Sequence, residues 1–320
     1  MSDVVKAQPA TPGRATSERS AAELFDRAAW RAHRRRAALS GPVNFLHDEI
    51  AERLLDRLDV VNRCFSSALD LGARDLHLTR LLQARGNGMS VVAAEPAEAF
   101  LASGAGLRVA ADPELSPFAD ASFDLIVSSL ALHWTADLPG ALVQLHRALR
   151  PDGLFLGAML GGQTLVELRT ALFEAELAEE GGVSPRVSPA IALSDAAALL
   201  QRAGFTLPVA DSERITVTYP DLLGLMRDLR GMGETNALAA RRRGGLRRAT
   251  LARAALIYAE RFADAAGRIP ASFEILFLCG WAPHPSQPKP LPRGSAQFRL
   301  ADALGSPPER PPATSSGEGE

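Results

Sequence analysis

Glu95 and Asp112 each close a short apolar run, and together they offer what a nucleoside asks of a protein. A carboxylate at the end of a strand can accept hydrogen bonds from both ribose hydroxyls, and Glu95 lies roughly twenty residues past the first loop, the offset expected of a dinucleotide site. A second carboxylate, Asp112, can accept from the exocyclic amine of adenine. The first loop itself reads Asp70-Leu-Gly-Ala-Arg-Asp75, and Gly72 lets the backbone approach a ligand closely there. Arg74 and Leu76 hold the two places where an intact loop would carry further glycines, so the loop alone is weak evidence. Ser128 and Ser129 end a fourth run. An acidic residue at a strand end is often only a solvated cap, so the reading rests on Glu95 and Asp112 recurring at successive strand ends.

Those positions acquire meaning from the elements that carry them. Short apolar runs at 67–71, 90–94, 107–111, 123–129 and 154–159 alternate with helical segments at 76–84 and 138–149. Strands alternating with helices imply a parallel sheet covered on both faces, and right-handed crossovers make it doubly wound. In such sheets ligands bind beyond the carboxyl ends of the strands, where the strand order reverses. Two amphipathic helices, 21–39 and the segment after Gly41-Pro42, precede the sheet. Beyond it the sequence predicts a helix over 194–203, extended chain over 214–219, a helical insertion over 222–230 and 235–263, and a late strand over 272–281 joining the sheet edge. Residues 1–20 and 305–320 are polar and rich in Pro, Ser and Gly, and are expected to be disordered around an ordered domain at 21–304.

Composition narrows the field. The 35 basic and 37 acidic residues nearly cancel, so no global field argues for nucleic acid. No apolar run reaches the roughly 18 residues of a membrane span, and the first 18 residues lack the apolar stretch of a secretory signal, which leaves a cytoplasmic address. Cys64 and Cys279, in no metal-ligand spacing, read as buried small apolar residues, and no metal is expected. The six histidines include no His-x-Asp or His-x-Glu pair, so nothing local supports the facial triad of an iron oxygenase. A nicotinamide dehydrogenase would want the full glycine loop. The basic clusters Arg31, Arg34 to Arg36 and Arg241 to Arg243 with Arg247 and Arg248 read as solvated helix faces, with an acidic partner as the alternative. Leu165, Leu168, Leu172 and Leu177 read as packed core.

The segments 112–118, 121–134 and Leu149-Arg-Pro-Asp-Gly153 resemble a class I methyltransferase, of the branch that includes the malonyl-carrier-protein methyltransferase of biotin synthesis. Further segments resemble assembly factor five of respiratory complex I and its bacterial relatives: 157–169, 184–189, Tyr219-Pro220, 229–236 and 293–296. In order, these blocks cover roughly residues 21 to 300. The resemblance implies an α/β, doubly wound, seven-stranded Rossmann-like sheet with N-terminal helices, and binding of S-adenosyl-L-methionine. It assigns Asp70 and Gly72 to the first cofactor loop, Glu95 to the ribose, Asp112 to the adenine and Ser128 to the end of the fourth strand. It also puts His133 and Trp134 near the transferred methyl; the alternative is that Trp134 packs on the sheet and His133 caps a turn. The function it implies is methyltransferase-like, on a protein or small-molecule acceptor. Its alternative is an assembly factor acting on a respiratory-complex subunit, by arginine hydroxylation or without catalysis.

Overall fold

In the computed structural model residues 24–85, 88–102, 104, 106–288 and 295 are described. The expected disordered ends, the first residues of the first helix and most of the 293–296 block lie outside them. The chain divides into two compact units, Met1–His284 and Pro285–Glu320; the first carries the sheet.

Two helices come first. Asp26 caps α1 (Arg27–Leu39) by accepting from Ala29 N at 3.0 Å, and α2 (Phe45–Asp59) buries Leu46, Ile50, Leu54 and Leu58 along one face. The alternating part follows as β1 (Ser67–Leu71), α3 (His77–Ala84), β2 (Ser90–Ala94), α4 (Glu98–Leu101), β3 (Leu107–Val109), β4 (Phe123–Ser129), α5 (Leu138–Ala148) and β5 (Leu149–Leu160). The chain ends this unit with α6 (Val166–Glu180), α7 (Leu193–Arg202), β6 (Thr206–Tyr219), α8 (Leu222–Met232), α9 (Arg248–Phe262) and β7 (Ile269–Trp281). Seven strands make one sheet in the order β3-β2-β1-β4-β5-β7-β6. The first five are parallel, whereas β7 pairs antiparallel with both β5 and β6. The order reverses between β1 and β4, the place where sheets of this kind bind ligands beyond their carboxyl ends. One apolar layer joins the sheet to α2, α3, α6, α8 and α9, and another joins it to α5 and α7.

The second half departs from expectation in three places. The last strand is interior, not at the edge. Nine of the thirteen residues of β7 are buried and none is exposed, while β6 largely alternates between half-buried and exposed positions, so β6 is the strand with a face to spare. The helical insertion over 235–263 contracts to α9, because Gly244-Gly245 and a run of like-charged arginines interrupt it. Leu165, Leu168 and Leu172 pack in the core, but Leu177 is 54% exposed on the outer side of α6. Cys64 is exposed and Cys279 half-buried. No helix among the described residues is long and apolar enough to cross a membrane.

Candidate functional site

The residues at the reversal point are knitted together by backbone. Gly72 N and Ala73 N both donate to Ala94 O, at 2.8 and 3.0 Å, and Glu95 N donates to Val109 O at 3.1 Å. In register, Asp70 sits between Ala93 and Val127, and Leu71 faces Ser128. Asp70, Gly72, Glu95 and Ser128 therefore share one rim. Gly72 has φ +83°, and a Cβ there would lie 2.4 Å from Ala131 Cβ, so only glycine fits. Arg74 and Leu76, which replace the expected glycines, keep the glycine conformation, with φ +45° and +66°. The loop has lost the residues but not the shape.

One face of α1 closes the rim. Arg27, Arg31 and Arg34 are spaced four and three apart and point the same way. Arg34 Nε and Nη2 donate to the two Glu95 oxygens at 2.9 and 2.6 Å. Ala97 N and Arg74 N complete the Glu95 carboxylate at 3.0 and 3.1 Å. Both partners are sealed from solvent, Arg34 at 1% and Glu95 at 0% exposure. Burial alone would pull the Arg34 guanidinium down, but the Glu95 charge and hydrogen bonds overcome it and leave it raised. Asp112 is gripped by Arg27, by Arg31 Nη2 at 3.0 Å and by Glu114 N at 3.0 Å. Against the opposing effect of burial, these contacts hold its carboxyl below the ordinary value. Glu95 and Asp112 are thus brought to one helix, and both are occupied by it. The expectation of a solvated basic face fails for Arg34, while Arg35 and Arg36 do face solvent.

Arg74 acts as a clamp beneath this arrangement. Its guanidinium donates to Asn44 Oδ1, Met232 O, Val43 O and Gly231 O at 2.6–3.1 Å, tying the α1–α2 connection to the C-terminal end of α8. That end presents unpaired carbonyls, which a cation satisfies well. Burial, and then the nearby Arg34 charge, push Arg74 down to about 10. Several buried polar atoms at the same rim have no partner: Asp70 Oδ1, Ser128 Oγ, Ser129 Oγ and Arg34 Nη1. Asp70 accepts from Thr79 Oγ1 at 2.6 Å, yet burial and the Glu95 charge raise its carboxyl to about 7.

Past β4, a short 3₁₀ turn, Leu132–Trp134, places His133 and Trp134 against Glu234. His133 Nε2 lies 3.1 Å from Glu234 Oε2, and Trp134 Nε1 donates to both Glu234 oxygens at 3.2 and 3.1 Å. Trp134 also packs on Phe25 and Trp30, with ring centroids 5.3 and 6.1 Å away. Trp134 thus stacks on the N-terminal segment rather than the sheet, and His133 pairs with an acid rather than capping a turn. Burial would raise the Glu234 carboxyl, but His133, Trp134 and Arg34 outweigh it and keep it lowered. His133, Trp134 and Glu234 line a cavity of about 290 Å³ whose other walls include Leu160, Leu168, Met226 and Phe273. His133 Nδ1 is buried and unbonded. Sequence reasoning missed Arg27, Arg34 and Glu234 as site residues. Glu234 did carry a signal, since it lies in the 229–236 block of the family resemblance, but no spacing rule links it to His133 a hundred residues earlier.

Residues 69–157 match the family described as "Methyltransferase domain". The chain is 42% identical over 305 residues to "Arginine-hydroxylase NDUFAF5, mitochondrial" of Danio rerio, covering 90% of this chain and 92% of that one. It is 42% identical over 300 residues to the protein of that name from Homo sapiens, covering 91% and 86%. It is also 34% identical over 268 residues to "Malonyl-[acyl-carrier protein] O-methyltransferase" of Methylovorus sp., covering 79% and 88%. Among solved structures, the YcgJ protein of Bacillus subtilis shares the fold with a TM-score of 0.50 at 14% identity, covering 73% of this chain and 99% of that one.

Proposed function

The chain belongs to the family of the arginine-hydroxylase NDUFAF5 proteins, built on a methyltransferase domain, and from that membership we propose that it modifies an arginine of a protein partner. The observation that carries the reading is Glu234, a buried carboxylate held below its ordinary value on the wall of a mostly apolar cavity that Arg186 and Arg230 also line. An arginine side chain has the matching form, an apolar stem ending in a planar cation that pairs with carboxylates. The apolar walls receive the stem, Glu234 receives the guanidinium, and His133 sits beside the reacting end with an unbonded Nδ1. A respiratory-complex subunit is the partner in this reading. The free thiols of Cys64 and Cys279 suit a reducing cytoplasmic compartment, while the relatives carry "mitochondrial" in their names.

S-adenosyl-L-methionine is the cofactor of this proposal, and the rim residues fit it with one condition. Unpartnered Asp70 Oδ1 suits the ammonium of its amino-acid end, and the Ser128 and Ser129 hydroxyls are free to bond along the crevice. Glu95 and Asp112 suit the ribose and the adenine once α1 releases them. When bound, the group supplies an activated sulfonium methyl. The chain's own contribution is to bind, to orient and to exclude water.

A second reading is favoured by the same arginines: with Glu95 and Asp112 satisfied internally, the protein acts as an assembly factor by binding alone. Two measurements separate the readings. Calorimetry with S-adenosylhomocysteine shows binding under the first and no heat under the second. Mass spectrometry of the partner subunit from a deletion strain, complemented with wild type or Glu234→Gln, then reports whether an arginine gains an oxygen, gains a methyl group or stays unmodified. An unmodified arginine in the wild-type strain refutes the enzymatic reading.

A further inference from the structure

The arginine-rich stretch Arg241-Arg-Arg-Gly-Gly-Leu-Arg-Arg248 walls part of the His133–Glu234 cavity, through Gly244, Gly245 and Leu246. Three of its arginines are spent within the protein. Arg241 donates to Asp26 Oδ2 at 2.8 Å, Arg242 pairs with Glu180, and Arg247 Nε lies 3.9 Å from the same Glu180 carboxylate. Arg243 and Arg248, close in the chain to the lining residues, are exposed and pair with no carboxylate among the described residues. Arg230 lines the cavity itself, is exposed, and likewise makes no ion pair there. An exposed side chain that lines a cavity stands where it opens, so Arg230 marks the mouth. Local stability does not ask for this pattern. α9 opens at Arg248 with no side-chain cap and no acid in its first turn, although a helix start favours acids and disfavours cations. The whole chain has a net charge of −2, so no general excess of base accounts for the cluster.

We infer that Arg230, Arg243 and Arg248 form a docking surface at the cavity mouth for acidic residues of the protein partner, close in its sequence to the arginine that enters. The inference rests on the reading that Glu234 receives that arginine, and adds what the partner must carry beside it. A ring of free guanidinium groups repels the very side chain the cavity is to admit. Carboxylates flanking the target arginine cancel that repulsion and pair with the free arginines. In an extended segment residues rise about 3.3 Å each, so an acid two or three positions away reaches groups about 7–10 Å along the chain. A polyanion such as RNA would meet the same arginines but brings no cation for Glu234, which is buried on the cavity wall.

The test measures fluorescence anisotropy of three labelled decapeptides with the full-length protein. The first carries one arginine with two aspartates close on each side, the second replaces the aspartates by asparagine, and the third replaces the arginine by citrulline, its neutral isostere. Wild type should bind the aspartate peptide about 10-fold or more tightly than the asparagine peptide at low salt, since each exposed ion pair contributes up to about fivefold. The preference should shrink to about twofold at about 0.5 M salt. The triple variant Arg230→Gln, Arg243→Gln, Arg248→Gln should bind the two arginine peptides alike, and the asparagine peptide no more weakly than wild type does. Arg243→Gln alone, at an exposed loop position, should remove part of the preference. Equal affinity of wild type for the aspartate and asparagine peptides, or a preference that survives these substitutions, overturns the docking surface and leaves the arginine site standing. Equal binding of the arginine and citrulline peptides overturns the arginine reading, and the inference with it. Tighter binding of decauridylate, displacing the aspartate peptide, assigns the arginines to nucleic acid and overturns the inference. Wild-type protein that binds none of the peptides overturns both.

Discussion

Replacing Arg34 with methionine keeps the bulk of a long side chain and removes the charge that neutralises Glu95. The pair is sealed, at 1% and 0% exposure, so solvent screening does not soften the loss. Breaking a buried ion pair from one side costs about 3–5 kcal/mol, because the remaining charge stays buried. Glu95 keeps two backbone donors, Ala97 N and Arg74 N, so the lower end, about 3 kcal/mol, is expected. Adding Glu95→Gln removes the stranded charge and should restore about 2 kcal/mol of it.

The same substitution also exposes a site. In the proposed cofactor reading a ribose reaches Glu95 only in molecules where Arg34 has let go, and apparent affinity falls with the fraction of such molecules. A separation cost of about 3 kcal/mol corresponds to about a 100-fold loss of affinity. Arg34→Met should therefore bind methylthioadenosine up to about 100-fold more tightly than wild type while being less stable. Urea unfolding and calorimetry on the same preparations read the two effects. A variant within about 0.5 kcal/mol of wild-type stability, or a folded variant with unchanged affinity, refutes the view that α1 competes for the ribose acid.

Three further outcomes follow from the same geometry. Asp70 is raised from 3.8 to about 7, so the folded protein holds an extra proton between those values; its contribution to stability is complete below about pH 4 and is lost as pH rises through about 7. Asp70→Asn should flatten that slope in pH-dependent unfolding, and should also abolish the rise in S-adenosylhomocysteine affinity expected between about pH 6 and about pH 8; a wild-type curve that is already flat contradicts the buried carboxyl. Glu234→Gln keeps the shape of the carboxylate but not its charge, so arginine modification of the partner should be lost with a stability change of at most about 2 kcal/mol; retained modification removes Glu234 from the site. Arg74→Gly restores a glycine at φ +45° and relieves about 1 kcal/mol, yet it strands the carbonyls of Val43, Gly231 and Met232, for a net loss of at least about 2 kcal/mol in urea unfolding; a stabilised variant would show that the clamp carries nothing.

The parallel half of the fold was legible because its signals are local. Each of β1, β2 and β4 is a short apolar run closed by a polar residue, and the observed bounds match the runs at 67–71, 90–94 and 123–129. The antiparallel half was less legible because strand order is a nonlocal fact. The pairing of β7 with both β5 and β6 places it inside β6, and a run such as 272–281 looks alike in either place. At the site, Glu95 and Asp112 were visible by position, but their partners were not. Arg27, Arg31 and Arg34 carry helical spacing that suits a solvated face as well as a buried one, and the sequence contains no mark that separates Arg34 from Arg35. Glu234 lay within a block that resembles the family, but its pairing with His133 escaped because only the fold brings the two together.

A glycine pattern records a shape indirectly, through the residue that adopts the shape at least cost. Arg74 and Leu76 break the pattern and keep the shape, each holding a left-handed backbone that an L side chain resists by about 1–2 kcal/mol. Such strain persists only where the surroundings over-determine it, and here they do. Arg74 is held by three carbonyls from two separate segments, and Leu76 is buried in a small cluster with Ala73, Ala93 and Leu101. What glycine would have left open is filled by the Arg74 side chain, which turns away from the rim to grip Val43 and the end of α8. The loop's backbone N–H groups are spent within the protein: Gly72 N and Ala73 N donate to Ala94 O, Arg74 N to Glu95 Oε2 and Leu76 N to Ala73 O. A loop that looks eroded in sequence thus keeps the left-handed turns of a glycine loop, and in the proposed cofactor reading its use turns on Glu95 and Asp112, where α1 already holds the acceptors.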